Sequence, residues 1–132
     1  MREILFRGKT EKGEWVYGVP FFEEDRCYII EDLFICDEYN CTGAVNHWVI
    51  PKTVGQYTGL TDKNGKKIFE GDIVKNEYAK GHYQYFKIFF CDRTHMWEVS
   101  NKYDFLGHLY HVIGTLEVIG NIHDNPELLK GE

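Results

Sequence analysis

Four cysteines (Cys27, Cys36, Cys41 and Cys91) and six histidines are the side chains able to hold a metal or act as nucleophile and base. A zinc set could be drawn from Cys27, Cys36, Cys41 and His47. Structural zinc sites, however, pair one close Cys-x2–4-Cys step with a second close pair, and only Cys36 and Cys41 have that spacing. The expected state is therefore reduced thiols that pack as small hydrophobes, with no metal and no cofactor. Cys91 and His95 flank a turn and offer a thiol next to a base. Glu70 and Asp72 flank Gly71 and offer two carboxylates. Acidic turn residues more often accept hydrogen bonds from neighbouring amides, and that is the expectation for Glu70 and Asp72. His108 and His111 are three apart, which sends them to opposite faces of a strand, although a turn could bring them together. No catalytic set emerges, and the chain is not expected to be an enzyme.

Residues suited to binding are easier to find. Lys63, Lys66 and Lys67 bracket an Asn-Gly turn and give a positive tip to an acidic chain. In HYQYFKIFF, from His82 to Phe90, alternation places Phe86, Ile88 and Phe90 on one face and Tyr83, Tyr85 and Lys87 on the other. Tyr and Trp bring large area and a polar handle to interfaces, so the Tyr83, Tyr85 and Lys87 face and exposed strand edges are candidate contact surfaces. The same aromatics, with Trp97, could stack on bases if the lysine tip met phosphate. A nucleic-acid-associated small β-barrel is therefore the alternative to a protein-binding module.

These groups must be positioned by a chain of 132 residues, enough for one ordinary domain with a core of its own. It is 43% hydrophobic and 16% aromatic, a globular composition. The net charge of -6 disfavours generic coating of nucleic acid or anionic lipid. MREILFRGKT lacks the apolar stretch of a secretory signal, and no apolar run approaches the roughly 20 residues of a membrane span. The expectation is a cytoplasmic protein of a bacterial host cell, without a membrane partner.

Strand signals dominate. Ile4-Leu5-Phe6, a turn at Glu11-Lys12-Gly13, and Glu14 to Val19 read as a hairpin, with Trp15, Tyr17 and Val19 on one face and Pro20 as its end. CYIIEDLFIC, residues 27–36, fits two strands with a tight reversal or one bulged strand. Asp37 to Gly43 reads as a loop, and Ala44 to Ile50 as a strand ended by Pro51. Gln56 to Leu60 is extended, Asp62-Lys63-Asn64-Gly65 turns, and Lys66 to Phe69 returns. Glu70-Gly71-Asp72 reverses again and Ile73-Val74 begin the next strand. Gly81 separates that strand from His82–Phe90. Met96 to Val99 and Thr115 to Ile122 complete the set, and Asn125-Pro126 opens a short terminal helix. The fold class is mainly β. An N-terminal β-hairpin region occupies 1–52, and a small barrel-like β domain with its short helix occupies 53–132.

Three blocks, REILFRGK at the N-terminus, TVGQYTGLTDKNGKKIFEGDIVK from Thr53 to Lys75, and the closing VIGNIHDNPELL, resemble the YopX family of bacteriophage and prophage proteins. They lie in the family's order and span most of the chain; Val19 to Val49 is less distinctive. The resemblance implies a small, mainly β phage or prophage protein with a C-terminal barrel-like domain and a tendency to self-assemble. It brings no catalytic residue and no cofactor. The resulting expectation is an accessory protein that acts by protein–protein binding or self-assembly, as a homo-oligomer or with a protein partner.

Overall fold

The structure, a computed structural model, describes residues 3–35 and 42–129, with side chains described for 3–31 and 45–129. Two compact units divide the chain, Met1–Gln56 and Tyr57–Glu132. This division falls after Gln56, whereas the sequence reading placed a boundary after residue 52.

The first unit is an antiparallel meander of β1 (Phe6–Lys9), β2 (Trp15–Glu23), β3 (Arg26–Ile35) and β4 (Thr42–Val49). The β1–β2 turn closes through Thr10 N to Glu14 O at 2.8 Å and Gly13 N to Thr10 O at 2.9 Å, with Gly13 at φ 89. Only glycine takes that backbone without strain. Thr42 and Gly43, read from sequence as loop, begin β4, and 36–41 lie outside the described residues.

Pro20 does not end β2. It sits within the strand opposite Ile29, and pairing with β3 continues to Glu23. The reason lies in the register: β1 pairs with β2 only as far as Gly18, opposite Phe6, so at Pro20 the other side of β2 has no ladder to donate to. Proline is tolerated on such an edge. CYIIEDLFIC takes the bulged alternative, one strand with a register shift between Ile30 and Asp32.

Strand periodicity sorts the faces. Val16, Cys27, Ile29 and Val49 are buried together, with Phe6 and Val54 packed on them. Trp15, Tyr17 and Val19 share the other face, and Tyr17 and Val19 are exposed. After β4 a single helical turn, Pro51–Thr53, ties back to β1. Ile50 N donates to Lys9 O at 2.8 Å, and Lys9 N donates to the Thr53 hydroxyl at 2.8 Å.

Strand β5 (Gly55–Thr61) pairs its first residues with β1, Gly55 with Arg7 and Gln56 with Phe6. Its later residues belong to the second unit, where Tyr57 faces Phe69 and Thr61 faces Lys67 of β6 (Lys67–Phe69). The rest of that unit is β7 (Asp72–Ala79), β8 (His82–Cys91), β9 (Met96–Ser100), β10 (Phe105–His108), α1 (Leu109–Val112) and β11 (Leu116–Asn121). These five strands form an antiparallel sheet in the order β10-β9-β8-β7-β11. One face carries the core of Ile68, Val74, Phe86, Ile88, Val99, Leu109, Leu116 and Val118.

The expected barrel does not close, because β10 and β11 stay at opposite edges of this sheet. The chain between them explains this. Leu109–Val112 and the helical turn Ile113–Thr115 send Leu109 into the core at 1% exposure, with Val112 and Ile113 packed against it. Apolar cover that a closing strand would supply comes instead from a helix laid on the face. The last helical turn, Pro126–Leu129, follows the Asn125-Pro126 signal.

Candidate functional site

The conspicuous DKNG turn is a clamp. Asp62 is 6% exposed; its Oδ1 accepts the amides of Asn64 at 2.8 Å and Lys66 at 2.9 Å, and its Oδ2 accepts the amide of Val118 at 2.8 Å. Burial raises the Asp62 pKa, but the amides of Val118, Lys66 and Asn64, with the Lys66 charge, outweigh it and hold the carboxyl below its ordinary value. Lys63 N donates to Leu116 O at 3.0 Å, a second tie between this turn and β11. Next along the chain, Asp72 is 2% exposed and accepts Phe69 N at 2.8 Å. Gly71, at φ 89, donates to Ile88 O and accepts from Ile122 N, each at 2.8 Å. Asp72 Oδ2 thus accepts a backbone amide, as expected of a turn residue.

Among the described residues the remaining chemical candidates do not assemble into a centre. Cys27 is fully buried and its thiol pKa is pushed up by burial; Cys36 and Cys41 lie outside the described residues. His47 Nε2 lies 2.6 Å from Glu31 Oε2. His95 N donates to Cys91 O at 2.7 Å, which closes the β8–β9 turn, and the His95 ring rests 6.4 Å from that of Phe90. His108 ends β10 and His111 lies in α1, so the change from strand to helix brings their rings to 6.3 Å. His108 also approaches Glu98 at 3.9 Å. Among the described residues no group of three His, Cys, Asp or Glu could hold a metal ion.

The outward face of the five-stranded sheet does gather side chains. Register sets Glu77 opposite Tyr83, Lys75 opposite Tyr85 and opposite Glu117, and Lys87 opposite Ser100. Lys75 Nζ reaches Glu117 Oε2 at 3.3 Å and lies 4.5 Å from the Tyr83 ring. Its pKa is raised, chiefly by the hydrogen bond to Glu117. Tyr83 is 43% exposed, Tyr85 is half-buried, and Lys87 is exposed with its ammonium 5.8 Å from Phe89. Tyr83, Tyr85 and Lys87 therefore share one face, as their alternation requires. Lys75 and Glu117, not singled out from sequence, complete it; Lys75 comes opposite Tyr85 only through the register shift between Glu77 and Ala79, which extending the pairing from the Gly81 turn does not reveal.

Trp97 does not join that face. It pairs with Phe90, its ring 5.2 Å away edge-on, and packs against the core on the opposite side of the sheet. Phe90 shares the parity of Phe86 and Ile88 but is 37% exposed near the strand's end. Lys63, Lys66 and Lys67 are all exposed. Lys67 leans over Tyr57 at 5.4 Å, whereas Lys63 joins Tyr78 and Lys80 along a shallow groove of about 320 Å3.

A second aromatic row, absent from the sequence reading, crosses the first unit. Phe21, Tyr28 and Trp48 lie directly opposite one another on β2, β3 and β4, with ring centroids 5.2 and 5.0 Å apart. Phe21 is 48% and Trp48 is 53% exposed. The row was hidden because Pro20 read as a strand end, leaving Phe21 without a strand partner.

Among the described residues no helix is long and apolar enough to cross a membrane. Comparison with curated proteins returns no match. Among solved structures, the crystal structure of protein EF1440 from Enterococcus faecalis is similar, with a TM-score of 0.68 and 27% identity over 98% of this chain and 99% of that one. The family profile described as YopX protein matches residues 5–130, which takes in the second and third sequence blocks and the first from Leu5 on, and the chain belongs to the YopX family.

Proposed function

We propose that this YopX-family chain is a phage or prophage accessory protein that works by binding protein, through self-assembly or a separate partner, and not by catalysis. The observation that supports this reading most is the outward face of the five-stranded sheet. There Tyr83 and Tyr85 are held beside Lys75 and Glu117, on the face that Lys87 shares. Amphipathic aromatics fixed by neighbouring charges give area at small entropic cost, the usual composition of a contact surface. The test combines light scattering with pull-down from a bacterial host, using the parent chain and Tyr83→Ala/Lys87→Glu. Association that the double substitution weakens about tenfold or more supports the reading. A monomer at every concentration with no partner retained overturns it.

A nucleic-acid reading draws on a separate feature, the groove lined by Lys63, Lys80, Glu77 and the 60% exposed Tyr78. Two cations beside an exposed ring are the elements of a single-strand site. Titration with labelled oligonucleotide at low salt tests it; no signal at high micromolar protein removes it.

A further inference from the structure

Strand β4 is the last strand of its sheet among the described residues. Exposed edges usually carry proline, lysine, a bulge or a covering loop that prevents pairing with another chain. Thr42–Val49 has no proline, lysine or arginine, and the register shift on this hairpin falls on β3, between Ile30 and Asp32. Among the described residues the edge is taken just beyond the strand, where Ile50 N donates to Lys9 O.

An open groove of about 860 Å3 follows this edge. Asn46 to Val49 of β4 line it together with Ile50 and Pro51 beyond the strand, so both parities of β4 face the groove, and Cys27 of β3 lines it as well. Its other side is the β1–β2 turn, with Glu11 and Glu14, and Asp25 and Arg26 also contribute. The volume lies within the roughly 300–1,000 Å3 of ligand clefts. At about 3.3 Å per residue, the β4 residues that line the groove, Asn46 to Val49, can pair with a strand of about four residues.

We infer that this edge is a docking site for an extended polypeptide segment bearing lysine or arginine, which adds to β4 as a strand and sets an apolar side chain against Trp48. The inference rests on the protein-binding reading and names a surface and partner for it. Main-chain hydrogen bonds supply affinity in such strand addition, and alternate side chains supply specificity. Trp48, 53% exposed, is the apolar anchor, with Arg26 over its ring at 5.9 Å. Along the groove the three carboxylates of Glu11, Glu14 and Asp25 exceed the two cations, Lys12 and Arg26, by one, and the whole chain carries -6. A basic segment meets opposite charge there, whereas a second copy brings the same acidic wall and the same net charge.

The experiment pans the full chain against a displayed library of random peptides of about ten residues. Enriched sequences are expected to alternate apolar residues with lysine or arginine. Synthesised as free peptides, they should bind more weakly as salt rises. Trp48→Ala and the exposed pair Glu11→Lys/Glu14→Lys should each weaken them about tenfold or more, while Tyr110→Ala, at an exposed ring of the second unit, leaves them unchanged. Enrichment without basic bias, or affinity indifferent to the Trp48 and Glu11/Glu14 variants, overturns the inference. Peptides that instead lose binding in Tyr83→Ala overturn this site while sustaining the general binding reading. Failure to enrich any peptide also overturns it. A dimer that tightens with salt and is lost in Val45→Lys gives the edge to a second copy and overturns the basic partner.

Discussion

Asp62 and Val118 are joined by a 2.8 Å hydrogen bond from the Val118 amide to the Asp62 carboxylate, across 56 residues of chain. The same carboxylate closes its own turn on Asn64 and Lys66. One buried anion therefore orders the turn and docks it on β11. Asp62→Ala leaves these amides without their acceptor and is expected to cost about 2–4 kcal/mol, read by urea denaturation.

Acid should expose the same clamp. The Asp62 pKa is lower in the folded chain than in the unfolded one, so its contribution is complete above the unfolded value of about 3.9 and is lost as pH falls through the lower folded value. The stability gap between the parent and Asp62→Asn is expected to be widest at neutral pH and to shrink on the acid side of about pH 4. Paired denaturation curves across that range check this; a constant gap would contradict it.

Gly18 lets β2 and β3 approach. A Cβ placed there would lie 2.0 Å from the Ile30 carbonyl oxygen, a backbone atom that cannot swing aside. Gly18→Ala is expected to destabilise by more than about 3 kcal/mol or to prevent folding. Gly114 has nothing within 4 Å of the corresponding position and no left-handed φ. Gly114→Ala should be neutral or stabilising by up to about 1 kcal/mol, which makes thermal denaturation of the two variants a controlled comparison.

Glu98 should respond to Thr94. The Thr94 hydroxyl donates to Glu98 Oε2 at 2.8 Å and is the main cause of the lowered Glu98 pKa; burial opposes it, and Cys91, His108 and Arg93 add smaller contributions. Thr94→Val is expected to move the Glu98 carboxyl titration upward, as followed by carbon NMR. An unmoved titration would assign the depression to the other neighbours.

Pro20 offers a test of the β2 edge. Its ring occupies a strand position where β1 has already ended, so Pro20→Ala restores an N–H that has no ladder to join. The change is expected to alter stability by no more than about 1 kcal/mol. A large gain would mean that the restored amide finds a partner on that side.

The order of strands and turns was open to reading because local rules govern it. Asn64-Gly65 and Gly71 demand particular backbone geometry, and the period-two pattern of His82–Phe90 separates Phe86 and Ile88 from Tyr83, Tyr85 and Lys87. The short strand Phe105–His108 and the helix Leu109–Val112 escaped because each is only four residues long, too short to show a period. Pro20 misled for a different reason: whether proline breaks a strand depends on whether its neighbour is still there to be paired.

By itself, then, the sequence determined a mainly β chain, its hairpin turns, its family and the parity of β8. Tertiary structure alone decided that the second sheet stays open, since that depends on where Leu109 packs. It also decided that Asp62 reaches Val118, that Lys75 lies against Tyr83, and that Phe21, Tyr28 and Trp48 form one row. Each of these depends on strand register, which long-range pairing fixes and which no local run of residues contains.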